Sequence, residues 1–127
     1  MMEDPYVRFA RLARVIDGDT VDMCVDLGWG LTQKVRFRLL GVDTPELRSS
    51  DPVEREAARA AAQFTLDTLD GWSHLATDAH PLWVESRKTG KYGRWLARIG
   101  TRDAQVEGDL NDLLLAEGHG KPYVPRR

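Results

Sequence analysis

Cysteine is nearly absent: Cys24 is the only one in 127 residues. A lone thiol cannot close an internal disulfide, so the fold must hold by packing and does not depend on an oxidising compartment. The three histidines, His74, His80 and His119, have no metal-ligand spacing, which removes a zinc-type cluster of nitrogen and sulfur donors. Long apolar runs are missing as well. No stretch is long enough to span a bilayer, and the opening MMEDPYVRF has no apolar segment of signal-peptide length. The expectation is a cytoplasmic protein with no membrane partner and no obligatory protein partner. A surplus of one charge sign is missing too: 18 Lys and Arg against 20 Asp and Glu leave a net charge of −2. That excludes a generally basic coat for nucleic acid, and any anion binding has to come from a local patch.

What is present is enough apolar residue, 42% of the chain, for one core and one domain spanning 1–127. Residues 1–4 and 121–127 are expected to be loose. Strand character runs over 5–16, with Asp17-Gly18 as a turn. Over 20–27 the alternation is clearest: Val21, Met23, Val25 and Leu27 share one face, and Thr20, Asp22, Cys24 and Asp26 the other. After Gly28-Trp29-Gly30 turns the chain, Val35, Phe37 and Leu39 point inward on a third strand. Arg36 and Arg38 then lie together on its opposite face.

A helix follows. Asp51 is its N-cap, Pro52 its first residue, and Glu54 stands at capping-box spacing. Ala57, Ala61 and Phe64 form a stripe, and Gly71 ends the helix. A loop over 72–81 leads to strands at 82–87 and 93–99. Asp109 then caps a short helix that presents Leu110, Leu113 and Leu114. The order β-β-β-α-β-β-α, mainly β in an α+β chain, is the plan of a five-stranded OB-fold barrel with helices packed on it.

Three clusters of polar residues lie at strand ends and turns, where function concentrates: DGDT at 17–20, RLLGVDTPE at 38–46 and KYGR at 91–94. Asp17, Asp19, Asp43 and Glu46 supply carboxylates with neither Cys nor His beside them. Such hard oxygen donors suit Ca²⁺ or Mg²⁺. Pro45 constrains Thr44 to an extended shape, which aims its main-chain carbonyl and sets the offset of Glu46. Arg38 and Arg94 are planar, permanently charged groups that grip phosphate at two points. Cations grouped with acids are a poor device for stability at a surface. A phosphodiester bound with a metal ion gives the grouping a purpose: the cation and the arginines stabilise charge on phosphorus while one carboxylate activates water.

The runs RVIDGDTV, FRLLGVDTPE and KYGRWLA, in that order, resemble the staphylococcal nuclease (thermonuclease) family, and the likeness extends from about residue 7 to about residue 120. The resemblance implies Ca²⁺ held by the carboxylates of Asp19 and Asp43 and the main-chain carbonyl of Thr44, with Asp17 close behind the ligands. It implies Glu46 as the general base, or the group that orders the attacking water. It further implies Arg38 and Arg94 as the clamp on the scissile phosphate, and Lys91 and Tyr92 at the substrate rim. Tyr123 is a possible counterpart of a substrate-stacking tyrosine. The implied activity is a Ca²⁺-dependent endonuclease that cleaves DNA and RNA with little sequence preference and leaves 3′-phosphate ends. Its expected partner is a nucleic acid substrate, single-stranded DNA or RNA preferred. The slightly acidic charge, against the basic better-known members, implies weaker and more salt-sensitive binding.

A competing function is a catalytically silent module of the same fold that binds nucleic acid or a protein. Such a module often loses the acids or arginines of the site, and all five of Asp19, Asp43, Glu46, Arg38 and Arg94 are present. A plain single-strand binder would want outward aromatics as stacking platforms, and the strands offer few beyond Trp83 and Trp95. A two-carboxylate glycosidase would leave both arginines without a role.

Overall fold

The computed structural model describes residues 6–75, 77–89 and 94–123, with the backbone alone at 88, 89 and 94. Its elements are β1 (Tyr6–Asp17), β2 (Thr20–Gly28), β3 (Leu31–Leu39), β4 (Val42–Asp43), α1 (Pro52–Ser73), β5 (Leu82–Thr89), β6 (Arg94–Thr101), α2 (Leu110–Ala116) and β7 (Lys121–Pro122). Five strands close a barrel in the order β1-β2-β3-β6-β5, and β4 pairs with β7 in a separate two-stranded sheet. All barrel pairings are antiparallel except β3 with β6. The architecture is α+β, mostly strand, and fits an OB-like fold. Among the described residues no helix is long and apolar enough to cross a membrane.

Strand alternation explains the core. Val21, Met23 and Val25 from β2, Phe37 and Leu39 from β3, and Ala97 and Ile99 from β6 are all buried within one cluster. Leu27 leaves that face: the register shifts between Asp26 and Gly28, and Leu27 is exposed. Trp83 of β5 lies against Gly100 of β6, where a Cβ atom would come within 2.3 Å of the indole. Only glycine fits there.

Helix α1 starts where the sequence places it. The Asp51 carboxylate accepts from the N–H of Val53 at 3.0 Å. The expected capping-box return from Glu54 is replaced, because the Asp51 N–H donates to Ser49 Oγ at 3.1 Å. The buried stripe is Ala58, Ala61, Thr65, Leu69 and Trp72 rather than Ala57, Ala61 and Phe64. An alanine-rich run offers the same spacing in two registers, and the larger Leu69 and Trp72 decide which is buried. Trp72 packs in the core, so the helix passes Gly71 and ends at Ser73. Helix α2 is capped by Asp109, which accepts from Asp112 N–H at 2.8 Å. It buries Leu110, Asn111 and Leu114, while Leu113 is half-buried.

Residues 121–123, expected to be loose, are held in place, and residues 124–127 lie outside the described residues. Lys121 pairs with Asp43 and Pro122 with Val42, and the N–H of Tyr123 donates to Gly41 O at 3.1 Å. Two-residue strands carry no readable period, so this small sheet is invisible in the sequence.

Candidate functional site

The DGDT turn between β1 and β2 is held from two sides. Leu39 N–H donates to Asp19 O at 2.8 Å, which joins the turn to the end of β3. From the other side, Thr65 Oγ1 of α1 donates to Gly18 O at 2.6 Å. A Cβ at position 18 would lie 2.8 Å from Ala61 Cβ and 3.1 Å from Thr44 Cγ2, so glycine lets the helix and the Thr44 loop close onto the turn. Gly120 does the same for the C-terminal segment, where a Cβ would lie 2.5 Å from Val42 Cγ2.

These contacts bring Asp19, Arg38, Asp43 and Thr44 together. Arg38 Nη1 donates to Asp19 Oδ2 at 2.7 Å, and Nη2 to Asp43 Oδ1 at 3.2 Å. Asp19 Oδ2 also accepts the Thr44 N–H at 3.0 Å, and Thr20 Oγ1 donates to Oδ1 at 2.9 Å. The side chains of Arg38 and Asp19 are 14% and 8% exposed, against 36% for Asp43. Asp19 is therefore the fixed end of the bridge and Asp43 the end open to solvent. Burial opposes the charge on Arg38. The Asp19 carboxylate, by charge and hydrogen bond, and then Asp43 outweigh that and raise its pKa above the ordinary value. The guanidinium thus stays charged at any working pH. Its carbon lies 5.0 Å from the centre of the Tyr123 ring, within cation–π range.

Asp17 stands next to this group through the main chain, its Oδ1 accepting the Leu47 N–H at 3.3 Å. Glu46 is exposed on the wall of an open pocket of about 460 Å³, lined by residues 43–46, Glu54 and residues 118–121. His119 is half-buried on that wall and packs on Phe64 with ring centres 4.8 Å apart. Thr44 Oγ1 is buried with no hydrogen-bond partner among the described residues. An orphaned hydroxyl beside a carboxylate pair marks a place for a polar ligand. Arg94 opens β6, one residue before Trp95, the register partner of Phe37. Lys91 and Tyr92 lie outside the described residues.

Among the described residues no group of three or more His, Cys, Asp or Glu side chains is gathered as a metal cage. Arg38 is the counter-ion between Asp19 and Asp43 instead. The donors still suit a hard cation in kind. Asp19 and Asp43 share one half-buried guanidinium, Asp43 and Glu46 line the same pocket, and the donors are carboxylate, hydroxyl and main-chain oxygen.

One supporting residue escapes sequence reading. Asn111, fully buried on α2, donates from Nδ2 to Leu40 O at 2.8 Å and to Ala97 O at 2.9 Å. Its Oδ1 accepts the Ile99 N–H at 3.3 Å. It ties α2 to β6 and to the residue that leads into β4. The only trace in the sequence is a polar residue inside the apolar run LNDLLL.

No protein-family model matches the chain. The chain is 36% identical over 114 residues to the thermonuclease of Staphylococcus intermedius, covering 88% of this chain and 59% of that protein. It is 28% identical over 128 residues to an uncharacterized protein of Methanocaldococcus jannaschii, covering 91% of this chain and 59% of that one. Over 88 residues it is 32% identical to protein ParB of Escherichia coli, 69% of this chain and 39% of that protein. The chain thus spans 39% to 59% of the length of these relatives. The thermonuclease similarity and the five-stranded barrel together fit a staphylococcal-nuclease-like OB fold.

Proposed function

We propose that this chain belongs to the staphylococcal nuclease family and acts as a Ca²⁺-dependent phosphodiesterase on DNA and RNA. The observation that carries the reading is Arg38 held between Asp19 and Asp43, with Asp43 on the wall of the Glu46 pocket. The likeness to a thermonuclease supports it.

In this reading Asp19, Asp43 and the Thr44 carbonyl would hold the cation, with Asp17 behind them. When bound, the cation supplies Lewis-acid stabilisation of charge on the phosphoryl oxygens. Glu46 takes a proton from water as its oxygen bonds to phosphorus. The bond from phosphorus to the 5′ oxygen breaks, that oxygen takes a proton from solvent as it leaves, Glu46 returns its proton to solvent, and the phosphate stays on the 3′ end. Arg38 and Arg94 hold the phosphate, and their fixed charge meets the negative charge that grows in the transition state. Tyr123 braces Arg38 from below, and Lys91 and Tyr92 contact the strand beyond.

A specific observation favours a second reading. Both Nη groups of Arg38 are already occupied by carboxylates. Two of its five N–H donors are thus spent inside the protein, and a catalytically silent module that binds nucleic acid or a protein would show the same bridge.

Cleavage of a fluorogenic single-stranded DNA with Ca²⁺, with Mg²⁺ and with chelator separates the two. The expected result is turnover that needs Ca²⁺ and falls at least 100-fold in Glu46→Gln, the scale of a lost general base. Folded protein with no turnover under any condition selects the silent module.

A further inference from the structure

The β2–β3 hairpin ends in the run LGWGL, residues 27–31, and this tip stands clear of the barrel. Beyond Val25 the two strands pair only with each other, because β1 leaves β2 at Ala10 and runs onto β5. The register shift between Asp26 and Gly28 turns Leu27 out, and Asp26 Oδ1 accepts the Gly28 N–H at 2.9 Å. Leu27 and Leu31 are exposed, and Trp29 between them is 94% exposed. Trp29 is also the one non-glycine residue at positive φ among the described residues. Its φ is 55°, between Gly28 at 89° and Gly30 at 75°. A bulky side chain is strained in that region. Strain held at an exposed aromatic gains nothing for the fold and points to a contact made outside it.

A second apolar surface lies beyond the same end of the β1–β2 pairing. On the outward face of β1 and β5, Val7 and Phe9 are exposed, and Trp83 is the cross-strand partner of Phe9. Their neighbours Leu82 and Val84 point the other way, into the core. Arg102 lies over the Phe9 ring at 3.6 Å and fixes it from one side, while Trp83 is pinned against Gly100. This platform is therefore firmly held. The tip run from Leu27 to Gln33 has no charged residue, so it can cover an apolar surface without stranding a charge in the contact.

Size decides what fills these two surfaces. Trp29 presents at most about 250 Å². One tip seated in a foreign cleft falls well short of the roughly 800 Å² per partner in a stable pair. A two-fold axis doubles the contact, because each copy then gives one tip and receives one. We propose that a second copy of this chain covers this part of the barrel, with the Trp29 tip of each copy seated on the Val7, Phe9 and Trp83 platform of the other. The contact uses none of the residues assigned to phosphate chemistry. Along β2 and β3 the tip lies at one end, and the pair of Thr20 and Arg38 at the other.

Sedimentation velocity from low to high micromolar protein tests this, with wild type and the variants Trp29→Asn and Val7→Lys. Asn accepts positive φ, so Trp29→Asn removes the ring and eases the backbone. Lys at position 7 faces Glu85 across the strand pair, which keeps the sheet. Thermal unfolding of dilute protein should show neither variant losing the fold. Wild type is expected to pass from monomer to dimer as concentration rises. Each variant should weaken the dimer by about tenfold or more, the scale of a lost interface anchor. An equimolar mixture of the two variants should associate more tightly than either alone, because Val7→Lys protein keeps its tip and Trp29→Asn protein keeps its platform. Wild type that stays monomeric throughout, or a dimer that Trp29→Asn leaves unchanged, overturns the proposal. So does a mixture no better than its components, which would make the contact tip to tip. Monomeric wild type that pellets with phosphatidylcholine vesicles, and Trp29→Asn protein that does not, would overturn it in favour of a lipid surface.

Discussion

Arg36 and Arg38 stand two residues apart on β3, face the same side, and each reaches an aspartate of the β1–β2 hairpin. Their surroundings differ sharply. Arg36 meets Asp22 with its own side chain 60% exposed, whereas Arg38 is 14% exposed and bridges two carboxylates. The Arg36 guanidinium lies on an open sheet face, although Asp22 itself is 8% exposed, as buried as Asp19. Over the second, the Thr44 loop, the β4–β7 sheet and Tyr123 close in. The same chemistry on the same strand thus has a solvent-exposed arginine in one place and a covered one in the other. The covering chain, contributed by distant parts of the sequence, makes the difference.

The largest expected effect is therefore at Arg38. Arg38→Met keeps the length of the side chain and removes its charge, leaving Asp19 buried opposite Asp43 with nothing between them. Breaking a buried pair in this way costs about 3–5 kcal/mol. Urea unfolding measures it, and a loss no greater than that of Arg36→Gln would show that burial is not what separates the two arginines. Added divalent cation should recover part of the loss if the two carboxylates then share the ion.

Next comes the scaffold behind the junction. Asn111→Ala would leave Leu40 O and Ala97 O without their donor and Ile99 N–H without its acceptor. Unsatisfied buried groups cost about 1–3 kcal/mol each, and relaxation will recover some of that. The expected loss is about 2–4 kcal/mol by urea unfolding, with Asn111→Asp no better because it cannot donate to both carbonyls. A change of less than about 0.5 kcal/mol would mean that α2 does not brace the approach to β4.

These two residues mark where the sequence is legible and where it stops. Period-two alternation placed Arg36 and Arg38 on one face and Val35, Phe37 and Leu39 on the other, because a half-buried strand writes its environment into every second residue. The order of the five long strands and two helices along the chain was legible too, whereas the two-residue strands β4 and β7 were not. Alternation could not report that Thr44 N–H and Arg38 share one oxygen of Asp19, since that contact joins residues far apart in the chain and carries no period. Asn111 reads as a solvent residue by type, and three main-chain groups from β6 and the residue after β3 give it its place. The α1 stripe was off by one position for a related reason: Ala57 and Ala58 look alike until Leu69 and Trp72 fix the rotation of the helix. Pairing of Lys121 with Asp43 fixed the first residues of a tail expected to be loose, and Lys121 lines the pocket.

The smallest effect is expected at the exposed arginine, and it sharpens the comparison through pH. The hydrogen bond from Arg36 holds the Asp22 pKa below its ordinary 3.8. Burial opposes this shift, while the charges of Arg36, Lys34 and Arg14 add to it. A carboxylate whose pKa is depressed by folding contributes stability that is complete above its unfolded value and is lost as pH falls through the folded one. Arg36→Gln should thus lower the unfolding temperature slightly at pH 7, far less than Arg38→Met does. The difference from wild type should shrink below pH 3.8 and vanish once Asp22 is protonated in both states. Thermal unfolding followed from pH 7 to pH 2 tests this. A difference that persists at the acid end would assign the role of Arg36 to packing of its aliphatic stem on the sheet and not to the charge it shares with Asp22.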